Sequence, residues 1–292
     1  MNIPRRELVA LAALALSGCA HSPQGHTPQA GMAPVNGTQL YFESLGTGDP
    51  VIFIHGLTLD TRMWDDQFGE FAKRHRAIRY DARGFGRSGP VTGPYSIHDD
   101  LRGLMDHLGV RRAHLVGLSM GGRYVIEFAL LHPERVTSMV VVDAVLPGVP
   151  TPAFGREMGA VLEAGRNGDV AQAKRLWLGA SLFAPANEQP ATASRLRRMV
   201  EDYSGWHFVN GPGRHEQALV PPAAQRLGQI RVPTLVVAGS REIPELISLS
   251  ERIARDVPGA SLAMIPGAGH LSNMEAPAVF NRTVLDWIAA RR

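Results

Sequence analysis

The chain has 292 residues, 45% of them hydrophobic, enough for one large α/β domain or for such a domain carrying an insertion. Its formal net charge of +3 is small and scattered along the chain, which argues against a nucleic-acid partner. A single cysteine, Cys19, excludes an internal disulfide framework and a cysteine metal cluster, and no internal repeat is present.

The N-terminus has the makings of an export signal. Arg5 and Arg6 precede an apolar run, residues 8–16, that is too short to cross a bilayer as a mature helix and ends in small residues. Leu16-Ser17-Gly18-Cys19 resembles the bacterial lipoprotein box, in which cleavage precedes a cysteine that then receives lipid. Residues 1–18 are therefore read as a signal peptide and Cys19 as the lipidated residue. The Arg5-Arg6 pair also resembles a twin-arginine signal, so the export route stays open between that and the general secretory one. Residues 19–34, rich in Pro, Gln, Gly, Ser and Thr, read as a flexible tether. The expected location is a lipid-anchored place in the bacterial cell envelope, with a periplasmic or secreted protein as the alternative.

From residue 35 the pattern becomes globular. Residues 39–44 alternate with the period of a strand, Gly46-Thr47-Gly48-Asp49 marks a turn, and 51–54 is the continuous apolar run of a buried strand. A helix is expected over 63–72, a short strand over 77–80, and a helix from the cap Ser96 to about residue 108. Residues 113–116 form the next strand and 124–132 a helix; 136–142 is a β-branched run with a counterpart at 234–237. Between those two runs, residues 146–230 lack any buried-strand signature and carry helix-like stretches at 154–166, 170–182 and 193–203 broken by Gly and Pro. A last strand is expected over 262–265, before a closing helix opened by Glu275 and Pro277. Strands alternating with helices imply a mostly parallel sheet covered on both faces, with its sites at the carboxyl ends of the strands. The division is a core of residues 35–145 and 231–292 with a helical cap, 146–230, laid over it.

The chemistry is concentrated at the turns that follow the strands. Gly117-Leu118-Ser119-Met120-Gly121 is a G-x-S-x-G elbow between a strand and a helix, which makes Ser119 the candidate nucleophile. His55-Gly56-Leu57 follows the strand ending at Ile54, where the Leu57 N–H can join the Met120 N–H as a two-donor oxyanion hole. His55 itself, and the segment 80–88 with Asp81, are read as scaffold. Gly269-His270, on a glycine-rich loop after the last strand, supplies the candidate general base. The orienting acid is Glu242, three residues past Gly239, with Asp143 as its rival and Asp81 a distant third. Met158, Trp177, Phe183, Trp206 and Phe208 are candidates for the roof of the pocket; His132, His98 and His107 are read as ordinary helix histidines.

Taken in order, His55-Gly56, residues 81–88, residues 117–122, Glu242 and Gly269-His270 resemble the α/β-hydrolase superfamily, in particular its capped branch of esterases, enol-lactonases, C–C hydrolases and cofactor-free perhydrolases. The resemblance covers roughly residues 35–290, and the chain order Ser, acid, His matches that fold. It departs in one place, since the family usually has Asp where this chain has Glu242. Ser119 at the elbow separates the chain from the epoxide hydrolase and haloalkane dehalogenase branches, which use Asp there. The resemblance implies a serine hydrolase of a small, fairly apolar ester or lactone, with no metal and no organic cofactor. C–C bond hydrolysis of a dienone-like acid, for which Arg123 is the one suggestive residue, and perhydrolysis are alternatives within the fold. A non-catalytic binding protein with a hydrolase-like body is the alternative outside it.

Overall fold

The computed structural model describes residues 28–291. The signal-peptide and lipidation readings, Cys19 included, lie outside the described residues, as does the first part of the tether. Eight strands form one sheet in the order β1-β2-β4-β3-β5-β6-β7-β8: β1 (Gln29–Val35), β2 (Thr38–Leu45), β3 (Pro50–Ile54), β4 (Arg76–Tyr80), β5 (Ala113–Leu118), β6 (Val136–Val142), β7 (Thr234–Gly239) and β8 (Ser261–Ile265). From β4 to β8 every pairing is parallel; β1 and β2 form an antiparallel hairpin at one edge. All residues of β5 and β7 are buried, as expected of central strands covered on both faces.

The hairpin corrects the expected tether over its last residues. Residues 29–34 pair in register with 39–44, and Ala33 and Val35 are buried beneath the helix Ile97–His107, which packs on β1. Composition misleads here because Gly31 and Pro34 punctuate the stretch, and an edge strand tolerates proline where a central one does not.

Helices α1 (Asp65–Ala72), α2 (Ile97–His107) and α3 (Met120–Leu131) connect the first parallel strands, and α9 (Pro244–Asp256), α10 (Ser272–Glu275) and α11 (Pro277–Ala289) follow β7 and β8. Phe53 of β3 packs on Trp64 and Phe71, each with ring centroids 5.0 Å away, and Trp64 reaches Phe280 of α11 at 6.3 Å. That aromatic cluster joins α1 and α11 over the sheet. The start of the expected 63–72 helix is a 3-10 turn, Thr61–Trp64, capped by Asp60. The insertion between β6 and β7 is helical: α4 (Pro152–Arg166), α5 (Val170–Leu178), α6 (Ala184–Asn187), α7 (Pro190–Asp202) and α8 (Trp206–Asn210). Among the described residues no helix is long and apolar enough to cross a membrane.

Because β3, β5, β6, β7 and β8 are consecutive neighbours, the loops after them share one rim. That rim carries His55, Ser119, Asp143, Glu242 and His270 in spatial order.

Candidate active site

Ser119 lies between β5 and α3 at φ 57° and ψ −112°, a conformation costing ~1–3 kcal/mol for a residue with a side chain. The elbow is held by the Ser119 N–H, which donates to the Val142 carbonyl at 2.8 Å, and by two glycines that no other residue replaces. A β-carbon on Gly117 would lie 2.2 Å from the Gly121 carbonyl oxygen, and one on Gly121 would lie 2.2 Å from that of Ile54. The helix therefore starts at Met120, four residues earlier than its apolar pattern suggests.

Ser119 opens into a cavity of about 370 Å³ that is also lined by Leu57 and Met120. The Leu57 loop lies against the elbow, since a β-carbon on Gly56 would come 3.5 Å from that of Ser119. Met120 is the first residue of α3, whose opening amides have no acceptor within the helix and stand at its positive end. Thr58, a buried β-branched residue at φ 67°, follows Leu57, and its Oγ1 accepts a 2.8 Å hydrogen bond from Trp177 Nε1 of α5. The cap thus grips the loop that carries one candidate oxyanion donor.

His270 Nδ1 is bonded to Glu242 Oε2, and both side chains are buried. The other Glu242 oxygen accepts the Ile243 N–H at 2.6 Å. With Nδ1 donating to the carboxylate, the imidazole presents its Nε2 lone pair. A carboxylate in that place also stabilises the ring once it is protonated. Asp143, the rival acid, is spent elsewhere: Oδ1 accepts the Gly239 N–H at 3.1 Å and Oδ2 accepts the Ser272 hydroxyl at 3.1 Å. Burial, then the neighbouring Glu242 charge, pushes its carboxyl well above the usual carboxylate range. Asp81 is further removed in role, tying down the 61 and 87 amides at 2.7 and 2.8 Å. His55 serves as scaffold: Nδ1 bonds the Gly56 carbonyl at 2.8 Å, Nε2 accepts the Ala82 N–H at 2.9 Å, and burial lowers its proton affinity.

Glu275, read from the sequence only as the opening of the last helix, has a more specific place. Its carboxylate accepts the Gly269 N–H at 2.6 Å and the Leu271 N–H at 2.9 Å, the two amides that flank His270. The one sequence signal for such a clamp is a carboxylate a few residues beyond a loop histidine, and it is a weak one.

Of the expected roof residues, Met158 and Trp177 line the cavity. Phe183, Trp206 and Phe208 do not. Phe183 is wedged between Trp177 (5.1 Å) and His270 (6.1 Å), Phe208 is fully buried beside Tyr203, and Trp206 packs on His207 at 4.8 Å. They hold the cap together and onto the core. Most of the remaining wall comes from the loop after β6, with Val145, Leu146 and Val149, and from Phe154 at the start of α4, and Arg123, Pro212 and Gly213 complete it. Sequence reasoning missed that loop because it has no periodicity to mark it.

Comparison with known proteins agrees with this architecture. RutD of Azorhizobium caulinodans, a protein named as a carbamate hydrolase, is 32% identical over 84% of this chain and 93% of its own. Among solved structures, the enol-lactonase from Burkholderia xenovorans LB400 superposes with a TM-score of 0.77 at 25% identity, over 89% of this chain and 100% of that one. A thermophilic esterase from Thermogutta terrifontis, solved with malate bound, gives 0.77 at 28% identity over 90% and 99%. Residues 49–277 match the family described as alpha/beta hydrolase fold, and the chain belongs to it.

Proposed function

We propose that this protein is a serine hydrolase of small, fairly apolar carboxylic esters or lactones, working through an acyl-enzyme. The observation that carries the reading is Ser119, held on a strained elbow and opening into a cavity walled mainly by aliphatic and aromatic side chains, with Leu57 and Met120 beside it. The lactonase and esterase likenesses support it, and the name carried by the RutD relative is that of another hydrolase of a carbonyl group.

Ser119 Oγ attacks the substrate carbonyl while His270 Nε2 takes its proton. The negative charge that grows on the carbonyl oxygen is met by the Leu57 and Met120 amides, preorganised donors of the kind worth ~3–4 kcal/mol each in a transition state. Glu242 stabilises the imidazolium. Collapse of the tetrahedral intermediate expels the alcohol, which leaves with the His270 proton, and Ser119 remains acylated. Water then attacks the acyl carbonyl as His270 removes its proton; the second collapse frees the acid and returns the proton to Ser119.

Ser119→Ala should abolish hydrolysis of a short para-nitrophenyl ester while circular dichroism stays unchanged, and undiminished activity would dispose of the reading. Failure of a fluorophosphonate probe to label Ser119 would favour a binding protein instead. The sequence pattern of residues 5–19 supports a further proposal, export followed by lipid attachment at Cys19. Cys19→Ser should then release the protein from membranes into the soluble fraction, and unchanged membrane retention would contradict the anchor.

A further inference from the structure

Arg123 is the one charged side chain among the described residues that line the cavity. It stands one helical turn beyond Ser119, its N–H bonded to the Ser119 carbonyl at 3.1 Å, where a free guanidinium would receive an anionic group at the far end of an acyl chain. That guanidinium is not free. Both oxygens of Glu216 take it in a two-pronged pair, Nη1 to Oε1 at 2.6 Å and Nη2 to Oε2 at 2.9 Å, with Glu127 Oε1 a further 3.9 Å contact. The Glu216 side chain is only 4% exposed and, unlike Arg123, is not among the residues that line the cavity.

The loop that presents Glu216 is itself fixed. The Tyr95 N–H donates to the His215 carbonyl at 2.8 Å and the Gln217 N–H to the Tyr95 carbonyl at 2.8 Å, so residue 216 is clasped from both sides. The same loop gives Pro212 and Gly213 to the cavity wall. One guanidinium therefore faces two carboxyl groups. Burial pushes the Glu127 carboxyl up to about 7, so the cluster is neutral when Glu127 is protonated and carries one negative charge when it is not.

We propose that Glu216 is a specificity-determining residue: by occupying Arg123 it makes the acyl pocket select uncharged acyl groups and reject those that end in a carboxylate. This rests on the serine-hydrolase reading above. An incoming carboxylate has to displace a clasped, buried partner or share Arg123 with it, whereas an alkyl chain meets Leu146, Val149, Phe154 and Met158 at no electrostatic cost.

The test compares para-nitrophenyl pentanoate with its anionic counterpart, the para-nitrophenyl monoester of glutarate, in wild type, Glu216→Gln and the double variant Arg123→Gln/Glu216→Gln. Wild type should favour the neutral ester. In Glu216→Gln the ratio of kcat/KM for the anionic over the neutral ester should rise by about 10- to 100-fold, the effect of one unit charge a few ångströms away in partly solvated protein. The double variant should lose that gain. A ratio within about threefold of wild type in folded Glu216→Gln, or a wild type that already prefers the anionic ester, overturns the proposal; the wild-type comparison stands even where the variant fails to fold. If neither ester is hydrolysed in a Ser119-dependent way, the hydrolase reading fails, and thermal-shift titration with glutarate still decides the charge selection. Stabilisation of Glu216→Gln but not of wild type supports it, and equal stabilisation of both refutes it.

Discussion

Exchanging Glu242 for Gln and, separately, Asp143 for Asn distinguishes two carboxyl groups on adjacent strand ends that differ sharply in what they hold. Glu242 is the buried partner of His270 Nδ1, so its loss leaves the imidazolium of the transition state without a counter-charge and frees the ring to adopt the wrong tautomer. The expected fall in kcat is roughly 10³- to 10⁴-fold, or ~4–5.5 kcal/mol of transition-state stabilisation. Asp143 instead accepts one amide and one hydroxyl. Asn keeps the carbonyl for Gly239, and its amide can donate to the Ser272 hydroxyl. Because burial already disfavours the charged form of Asp143, the exchange removes little charge, and kcat should fall by less than about tenfold. Glu242→Asp restores the residue usual in the family but withdraws the carboxylate by ~1.5 Å, for which about 10²-fold is expected. The assay is steady-state hydrolysis of para-nitrophenyl butyrate, with circular dichroism to verify folding. A mild Glu242→Gln beside a crippling Asp143→Asn would refute the reasoning.

Trp177→Phe removes the bond to Thr58 while keeping an aromatic wall, and without it the loop bearing Leu57 loses its restraint from the cap. A fall in kcat of about 5- to 30-fold that exceeds the change in KM is expected, and a pure KM effect would reduce Trp177 to a wall. Glu127→Gln tests the buried cluster behind the site through stability. The Glu127 carboxyl is raised from 4.5 to about 7, so between those values the folded chain holds more protons than the unfolded one and loses stability as pH rises. The variant lacks that loss, so its stability relative to wild type should improve by up to ~3 kcal/mol between pH ~4.5 and pH ~8, as read by urea denaturation; a constant difference would refute it.

What could be read from the chain was whatever is local. The elbow announces itself because two glycines and an alcohol fall within five residues between two apolar runs, and Gly117 is constrained by that turn and by Val125 of the helix after it, although Gly121 is pressed by Ile54 and His55 from a distant part of the chain. The parallel strands were legible for the same reason: burial on both faces writes a continuous apolar run. The pocket wall was not, because whether Phe183 or Phe154 faces the cavity depends on how α4 and α5 lie against the core, which no periodicity encodes. Glu216 was invisible on the same grounds, being 93 residues from Arg123. The strand at 29–35 was hidden by its own glycine and proline, although the alternation that buries Ala33 and Val35 is present.

The clamp formed by Glu275 has a consequence for how substrate enters. With the peptide groups on either side of His270 moored to the first turn of the chain's closing helical segment, and a β-carbon on Gly239 leaving no room against the Gly269 carbonyl at 2.2 Å, the histidine hangs from a fixed bracket. Under the proposed chemistry, the inserted helices that wall the cavity, rather than the loop carrying His270, are the part expected to yield when product leaves.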